Sequence, residues 1–261
     1  MSARMVNEGA APSGAAGAGA WSQPALLEAP APPPQRQCGL DEVGRGALAG
    51  PLVAAAVILP DDFLERLGPL ARFLRDSKAT PRRRREEIAT LVCAHALALA
   101  IAVAPVEVIN QRGVGWANRD VFRALIARID ADEYLVDGNI KPPAPADRIA
   151  RIRCLVKADA LDHAVSAASI VAKVYRDHIM AELAVGYPQY GWERNAGYGS
   201  PDHLDALRKH GPGPHHRRLF VATALSGGQR ARSRAQASHH RTQGDDASDM
   251  ANVGLFSADT E

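Results

Sequence analysis

The chain has 261 residues, an apolar share of 46% and a formal net charge of +2. This length predicts one large domain or two small ones, and the apolar share is sufficient for a full core. Because the charge is nearly balanced, composition by itself gives no indication of nucleic acid as a partner, and local clusters must supply one.

The sequence shows no targeting or membrane segment. No apolar run is long enough to span a bilayer, and the N-terminus lacks the basic flank and apolar block of a signal peptide. The cysteines, Cys38, Cys93 and Cys154, are widely spaced, which predicts free thiols in a reducing compartment. We therefore expect a cytoplasmic protein with no membrane partner.

The two ends differ in composition from the middle of the chain. Residues 1–36 are rich in Ala, Gly and Pro, and residues 226–261 combine an Arg-rich stretch with an acidic end. Such segments lack the apolar residues that a core needs, so both are predicted to be disordered tails. They flank one folded domain, residues 37–225.

Within this domain the predicted elements follow in chain order. The predicted strands are Cys38–Glu42, Leu52–Leu59, Leu99–Ala104, Glu133–Val136 and Ile152–Val156. The predicted helices are Pro81–Ala98, Ala117–Ile129, Ala164–Leu183 and Pro201–Lys209. A glycine-rich turn, Gly44–Pro51, joins the first two strands. This order predicts an α/β domain with a mixed sheet.

Four carboxylates fall at or just beyond predicted strand ends: Asp41, Glu42, Asp137 and Asp159. Active sites of open sheets gather at such ends, and a cluster of acids persists only if cations neutralise it. Oxygen ligands favour Mn²⁺ or Mg²⁺, and two such ions hydrolyse phosphodiesters. Asp41 and Glu42 are adjacent, so both point at one metal pair only if the strand is irregular there; otherwise one of them contributes differently. Each acid alone has an ordinary interpretation as a helix cap or turn residue.

The residues after the first two acids predict contact with a sugar. Gly44 and Gly46 allow close backbone approach, and their polar groups can bond a 2′-hydroxyl. Arg45 can hold a phosphate, although an ordinary turn with an exposed arginine is the alternative. Lys78, before a basic helix, is either a phosphate contact or a solvated charge. Lys173 and Asp177 are spaced as a helix-surface pair.

Several segments resemble the ribonuclease HII family, in the family's order. They are CGLDEVGRGALAGPLVAAAVIL (Cys38–Leu59), DSK (Asp76–Lys78), LVDGN (Leu135–Asn139), VKAD with SAASIVAKVYRD (Val156–Asp177), GYGSPDH (Gly197–His203) and HHRRLF (His215–Phe220). Together they extend over nearly all of residues 38–220. A D-E-x-G-R-G loop with these later partners is far more specific than any single motif.

The resemblance implies a ribonuclease H-like mixed β-sheet flanked by helices, with a helical C-terminal part, over residues 37–225. It implies a two-ion Mn²⁺ or Mg²⁺ site on the four acids: Asp41, Glu42, Asp137 and Asp159. It implies that Gly44, Arg45 and Gly46 recognise the 2′-hydroxyl, and that Tyr198 stacks on the sugar beyond the scissile phosphate.

The implied activity is hydrolysis of the RNA strand of RNA–DNA hybrids and incision 5′ to single ribonucleotides in duplex DNA. We expect these duplexes as the partners, no obligate protein partner and a monomer. The chain departs from the family at Ala79, Ala158, Ala196 and Leu219, which puts substrate affinity in question rather than activity.

Three alternatives stay open. A hybrid-binding module without catalysis would gain nothing from four acids close to phosphates. A structure-specific DNA nuclease would have no use for a loop that reads a 2′-hydroxyl. The related ribonuclease HIII carries a sizeable N-terminal substrate-binding domain, for which residues 1–36 are too few and too rich in proline.

Overall fold

A five-stranded mixed sheet lies at the centre of the fold, which we describe from a computed structural model for residues 36–74, 80–139 and 141–226. The strands are β1 (Gln37–Val43), β2 (Leu52–Ile58), β3 (Ala98–Ala104), β4 (Glu133–Asp137) and β5 (Ile152–Leu155). Their order is β3-β2-β1-β4-β5; the β1–β2 and β2–β3 pairs are antiparallel, and the β1–β4 and β4–β5 pairs are parallel. The mixed sheet predicted from the sequence is confirmed.

Helices flank this sheet and form the C-terminal part. They are α1 (Phe63–Leu67), α2 (Ala71–Leu74), α3 (Arg82–His95), α4 (Val106–Arg112), α5 (Val114–Arg128), α6 (Ala158–Leu161), α7 (His163–Gly186), α8 (Trp192–Asn195), α9 (Pro201–His210) and α10 (218–226). The predicted helices correspond to α3, α5, α7 and α9. The others are absent from the prediction because one or two turns are too short to show a helical apolar period.

The strand β2 separates two apolar cores. Ala54 and Ala56 join the core under α5, whereas Ala55 and Val57 join the core under α7. Both faces of β2 are covered, so every residue of the strand is buried, and its sequence is a continuous apolar run. A third core joins the end of α7 to α9 and α10.

The longest helix, α7, packs directly on β1. A Cβ atom on Gly39 of β1 would lie 2.2 Å from both the carbonyl carbon of Ala164 and the backbone nitrogen of Val165. No side chain fits at this position, so glycine is needed for the start of α7 to rest on the strand. The following turns of α7 are thereby brought to the end of β1.

Several predictions fall outside the described residues. Lys78 does, and so do the predicted tails apart from Arg36 and Ser226. Among the helices that the structure describes, none is long and apolar enough to cross a membrane.

The close contact between α7 and β1 predicts that Gly39→Ala destabilises the protein. The added methyl group must displace helix backbone, which costs about 1–3 kcal/mol, or roughly 2–4 °C in Tm for each kcal/mol. Thermal unfolding followed by circular dichroism measures the change.

The matched control is Gly115→Ala in α5, where a Cβ atom has no neighbour within 4 Å. We expect this variant to keep or raise the Tm, because alanine favours helix over glycine. An unchanged Tm for Gly39→Ala would contradict the packing described here.

Candidate active site

The candidate site lies where β1 and β4 end side by side. The parallel pairing of these strands runs from Gln37 opposite Glu133 to Leu40 opposite Val136. The next residues along are Asp41 on β1 and Asp137 on β4, so the register brings two of the predicted acids to one edge of the sheet.

A cavity of about 500 Å³ opens at this edge. Its lining contains acidic, basic and glycine residues from five parts of the chain. These are Asp41, Glu42, Val43, Gly44, Arg45 and Gly46 at the end of β1, Arg85 on α3, Asp137 on β4, Ser169, Ile170 and Lys173 on α7, and Tyr198. Three predicted acids and the predicted glycine loop therefore line one cavity.

Both adjacent acids, Asp41 and Glu42, reach this cavity although the strand is regular. β1 continues to pair with β2 at these positions, with Asp41 opposite Ala55 and Glu42 opposite Ala54. On the other side its pairing with β4 stops at Leu40. Both residues therefore line the cavity beyond the end of the pairing with β4, on a strand that is regularly paired with β2.

Asp41 is the most strongly perturbed acid of the cavity. It is only 6% exposed, and this burial raises the pKa of its carboxyl to about 8. A hydrogen bond from Ser169 lowers the pKa, and the charges of Glu42 and Asp137 raise it. The backbone N–H of Glu42 also donates to Asp41 Oδ1 at 2.7 Å. These two hydrogen bonds do not offset the burial.

The pKa of Glu42 is also raised. Burial is the largest cause, Asp137 adds to it, and the guanidinium of Arg45 opposes it. The Arg45 Nη1 atom lies 3.7 Å from Glu42 Oε1, but the arginine side chain is about half exposed. The acids of the cavity are therefore only partly neutralised by the protein itself.

The fourth predicted acid, Asp159, lies beside the cavity rather than in its lining. It is buried in the first turn of α6. The neighbouring N–H of Ala158 donates to Asp137 Oδ1 at 2.8 Å, which ties α6 to the end of β4. Within residues 36–74, 80–139 and 141–226, no three His, Cys, Asp or Glu side chains form a group that could hold a metal ion.

Two cations at the edge of the cavity share one acidic partner. Lys173 Nζ lies 2.7 Å from Asp177 Oδ1, the helix pair predicted from the sequence, and Arg85 Nη2 lies 3.9 Å from Asp177 Oδ2. Both Lys173 and Arg85 also line the cavity, which sequence spacing could not reveal. Of the basic run at the start of α3, the other three arginines pair with Glu86 or Glu87 on the surface.

Tyr198 faces the same cavity from a segment bonded to the glycine loop. The carbonyl of Gly197 accepts the N–H groups of Leu48 at 2.8 Å and Ala49 at 3.1 Å. The Tyr198 ring lies 5.7 Å from Lys173 Nζ and 5.3 Å from the guanidinium carbon of Arg176. Its position is thus fixed by both α7 and the loop.

Two histidines form a buried network behind Tyr198. His203 Nδ1 lies 2.8 Å from the Tyr198 carbonyl oxygen, so this nitrogen carries the proton, and Nε2 accepts from Trp192 and His216. Burial and the neighbouring His203 lower the pKa of His216 to about 4. Both histidines belong to this buried network, and neither lines the cavity.

A second cavity, of about 540 Å³, shares Arg45 with the first. Arg112, Trp116 and Arg119 also line it, and the Arg112 guanidinium carbon lies 5.3 Å from the Trp116 ring. All four side chains are exposed, so positive charge and an aromatic face continue beyond the glycine loop.

The family model and the curated relatives that match this chain carry the same family name. The family model described as Ribonuclease HII matches residues 38–223. Ribonuclease HII of Paramagnetospirillum magneticum is 48% identical over 197 residues, which cover 72% of this chain and 90% of the relative. Ribonuclease HII of Thermosynechococcus vestitus is 44% identical over 191 residues, covering 73% and 86%. The crystal structure of ribonuclease H2 from Pyrococcus horikoshii matches with a TM-score of 0.59 and 25% identity, covering 73% of this chain and 97% of that one.

The raised pKa of Asp41 predicts that Asp41→Asn is more stable than the original protein in the absence of metal, and that this difference in stability grows as the pH rises. Unfolded Asp41 loses its proton near pH 4, whereas folded Asp41 keeps it up to about pH 8. Ionisation therefore favours unfolding between these two values, and the stability of the original protein falls across this window. The Tm difference between variant and original protein, measured in EDTA, should be small at pH 4 and exceed about 3 °C at pH 8.

Asp205→Asn is the control, because Asp205 is an exposed residue of α9 whose partner is Arg208. Its effect should stay small at every pH. A Tm difference for Asp41→Asn that does not grow with pH would contradict the assigned environment of Asp41.

Proposed function

The chain belongs to the ribonuclease HII family, and we propose that it incises duplex DNA on the 5′ side of single embedded ribonucleotides, leaving 3′-hydroxyl and 5′-phosphate ends. Membership of the family makes the protein a metal-dependent endoribonuclease that acts on RNA–DNA hybrids. We further propose that two divalent ions, Mn²⁺ or Mg²⁺, serve the reaction.

The observation that carries this function is the shared lining of one cavity. Asp41, Glu42 and Asp137 supply acids, and the segment Gly44–Gly46, in which Arg45 and Gly46 are exposed, supplies backbone groups within the same space of about 500 Å³. A site for phosphodiester hydrolysis needs the first group, and a site that distinguishes ribose from deoxyribose needs the second. Their proximity favours a nuclease that tests the sugar where it cuts.

The acids fit the proposed metal ions by their chemistry. Carboxylate oxygens are hard ligands, which Mg²⁺ and Mn²⁺ prefer. The raised pKa of Asp41 arises from burial beside two further acids, a penalty that bound cations would relieve. We propose Asp41, Glu42, Asp137 and Asp159 as the ligands. Since the side chains do not form a metal-binding group as they stand, ion binding requires them to turn towards one another.

When bound, divalent ions supply the activation of water and the stabilisation of charge on the departing 3′ oxygen. The chain's own residues hold the substrate for this reaction. Lys173 and Arg85 stand at the edge of the cavity, held by Asp177, where they can contact the phosphates on either side of the cleaved bond. The Ser169 hydroxyl donates to Asp41 and so fixes the orientation of this carboxyl.

The glycine loop is proposed to read the 2′-hydroxyl. A Cβ atom on Gly46 would meet nothing within 4 Å, so its backbone is open to a ligand. A site that bonds a hydroxyl rejects the deoxy analogue, because its own polar groups would be left unpaired. Tyr198 lies on the same cavity, where its ring can stack on the neighbouring sugar. Arg45 extends the basic surface from the first cavity towards the second. A surface of this extent suits a duplex that reaches beyond the cleaved phosphodiester.

A panel of three matched duplexes tests the proposed function. One carries a single ribonucleotide in DNA, one is an RNA–DNA hybrid, and one is entirely DNA. With Mn²⁺ or Mg²⁺ we expect cleavage of the first two only, with the single incision 5′ to the ribonucleotide. Cleavage of the all-DNA duplex would indicate a DNA nuclease instead, and binding without cleavage would indicate a hybrid-binding module.

Asp137→Asn supplies the matching loss of function. The variant keeps the shape of the side chain but removes its charge, so we expect cleavage to fall by about 100-fold or more while binding of the hybrid persists. Asp147→Asn, an exposed acid on the surface, should cleave like the original protein. Full activity of Asp137→Asn would remove Asp137 from the proposed site.

A further inference from the structure

Two fully buried arginines lie behind the glycine loop. Arg176 on α7 and Arg217 before α10 are each 0% exposed. Within the part of the chain that the structure describes, neither forms an ion pair; the hydrogen bonds of both guanidinium groups go to backbone carbonyls. Burying such a charge is costly unless its donors are satisfied, so these contacts hold specific carbonyls in place.

Arg217 bridges the two ends of the loop, Gly44–Pro51. Its Nε and Nη2 atoms donate to the carbonyl of Gly50 at 3.0 and 2.9 Å, and its Nη1 atom donates to the carbonyl of Arg45 at 3.1 Å. The backbone N–H of Arg217 also donates to the carbonyl of Leu48 at 2.8 Å.

The bond to the Arg45 carbonyl fixes the orientation of the next N–H group. A trans peptide unit is planar, so the N–H of Gly46 points opposite to the carbonyl of Arg45 and away from Arg217. Gly46 lines the cavity, and its backbone is open to a ligand. Arg217 thus sets the direction of a donor suited to a 2′-hydroxyl.

Arg176 joins the same loop to Tyr198. It donates to the carbonyls of Pro51 and Ala49, both at 2.9 Å, and to the carbonyl of Ala196 at 2.8 Å. Its guanidinium also lies beside the Tyr198 ring. A Cβ atom on Gly44, whose φ is +89°, would lie 2.2 Å from Arg176 Nε, so the loop fits tightly against this side chain.

The loop has little internal structure to hold it otherwise. Among the described residues, one backbone hydrogen bond joins two residues of the loop: the Ala47 N–H donates to the carbonyl of Gly44 at 3.3 Å. Gly44, Gly46 and Gly50 add conformational freedom. Its conformation is therefore restrained from outside, by the donors of Arg176 and Arg217 and by the carbonyls of Gly197 and His215, which accept N–H groups of Leu48, Ala49 and Gly50.

We propose that Arg176 and Arg217 are positioning residues for ribose recognition: they hold the glycine loop and Tyr198 in one fixed arrangement that selects a 2′-hydroxyl. This inference rests on the proposed function of the loop. Neither arginine lines the cavity, so each acts through the backbone that it holds.

Arg217→Lys tests the inference because it keeps the charge but removes the fork of donors that spans two carbonyls. Arg148→Lys is the matched control. Arg148 also donates to three carbonyls, those of Ile126, Ala127 and Ile129, but at the far end of α5. Both variants replace an arginine that contacts several backbone carbonyls, through Nη1 in Arg148 and through all three nitrogens in Arg217, and only Arg217 borders the loop.

The readout is a ratio of dissociation constants, measured in EDTA so that no cleavage occurs. Each protein is titrated with a duplex carrying one ribonucleotide and with the same duplex made entirely of DNA. A loss of folded protein weakens both measurements equally and cancels in the ratio. We expect the preference for the ribonucleotide to fall by about tenfold in Arg217→Lys and to persist in Arg148→Lys.

If Arg217→Lys prefers the ribonucleotide duplex as strongly as the original protein does, the inference is overturned while the proposed function stays intact. Absence of any preference in the original protein would overturn the inference, and the cleavage panel would decide the proposed function separately. If Arg217→Lys does not fold, Arg176→Lys is measured in the same way, and retention of the full preference there would count equally against the inference.

Discussion

The burial of an acidic side chain beside two further acids is the constraint on which the site depends. Asp41 is held at the end of β1 beside Glu42 and Asp137, with burial raising its pKa to about 8. The nearest cations do little to relieve this, because Lys173 and Arg85 are bound to Asp177 and the Arg45 side chain is half exposed. The protein alone does not balance the cluster, which is the physical ground on which we propose these acids as ligands of divalent ions.

The helix α7 connects the apolar core to this electrostatic arrangement. Its start rests on Gly39, and its following turns carry Ser169, Lys173 and Arg176. The first two line the cavity, and the third holds the glycine loop from behind. The packing of α7 on β1 therefore determines the positions of Ser169, Lys173 and Arg176. A packing defect in this part of the core would displace these side chains from the site.

Much of this could be predicted from the sequence, for identifiable reasons. Apolar runs bounded by glycine marked the strands, and the long helices showed their period, whereas α4, α6 and α8 were too short to do so. Positions at strand ends and the family resemblance both pointed to the four acids, but neither predicted that Asp159 lies outside the cavity lining. Buried Arg176 and Arg217 carry no apolar signature, so their contact with the loop became visible only in three dimensions.

With its raised pKa, Asp41 should be protonated at neutral pH in the metal-free protein and deprotonated once a cation binds. Carbon-detected NMR of the Asp41 carboxyl, assigned with Asp41→Asn, measures this directly across pH without and with saturating Mg²⁺. We predict a midpoint near pH 8 without the ion and a midpoint several pH units lower with it. A midpoint close to the ordinary aspartate value of about 4, unmoved by Mg²⁺, would contradict the account.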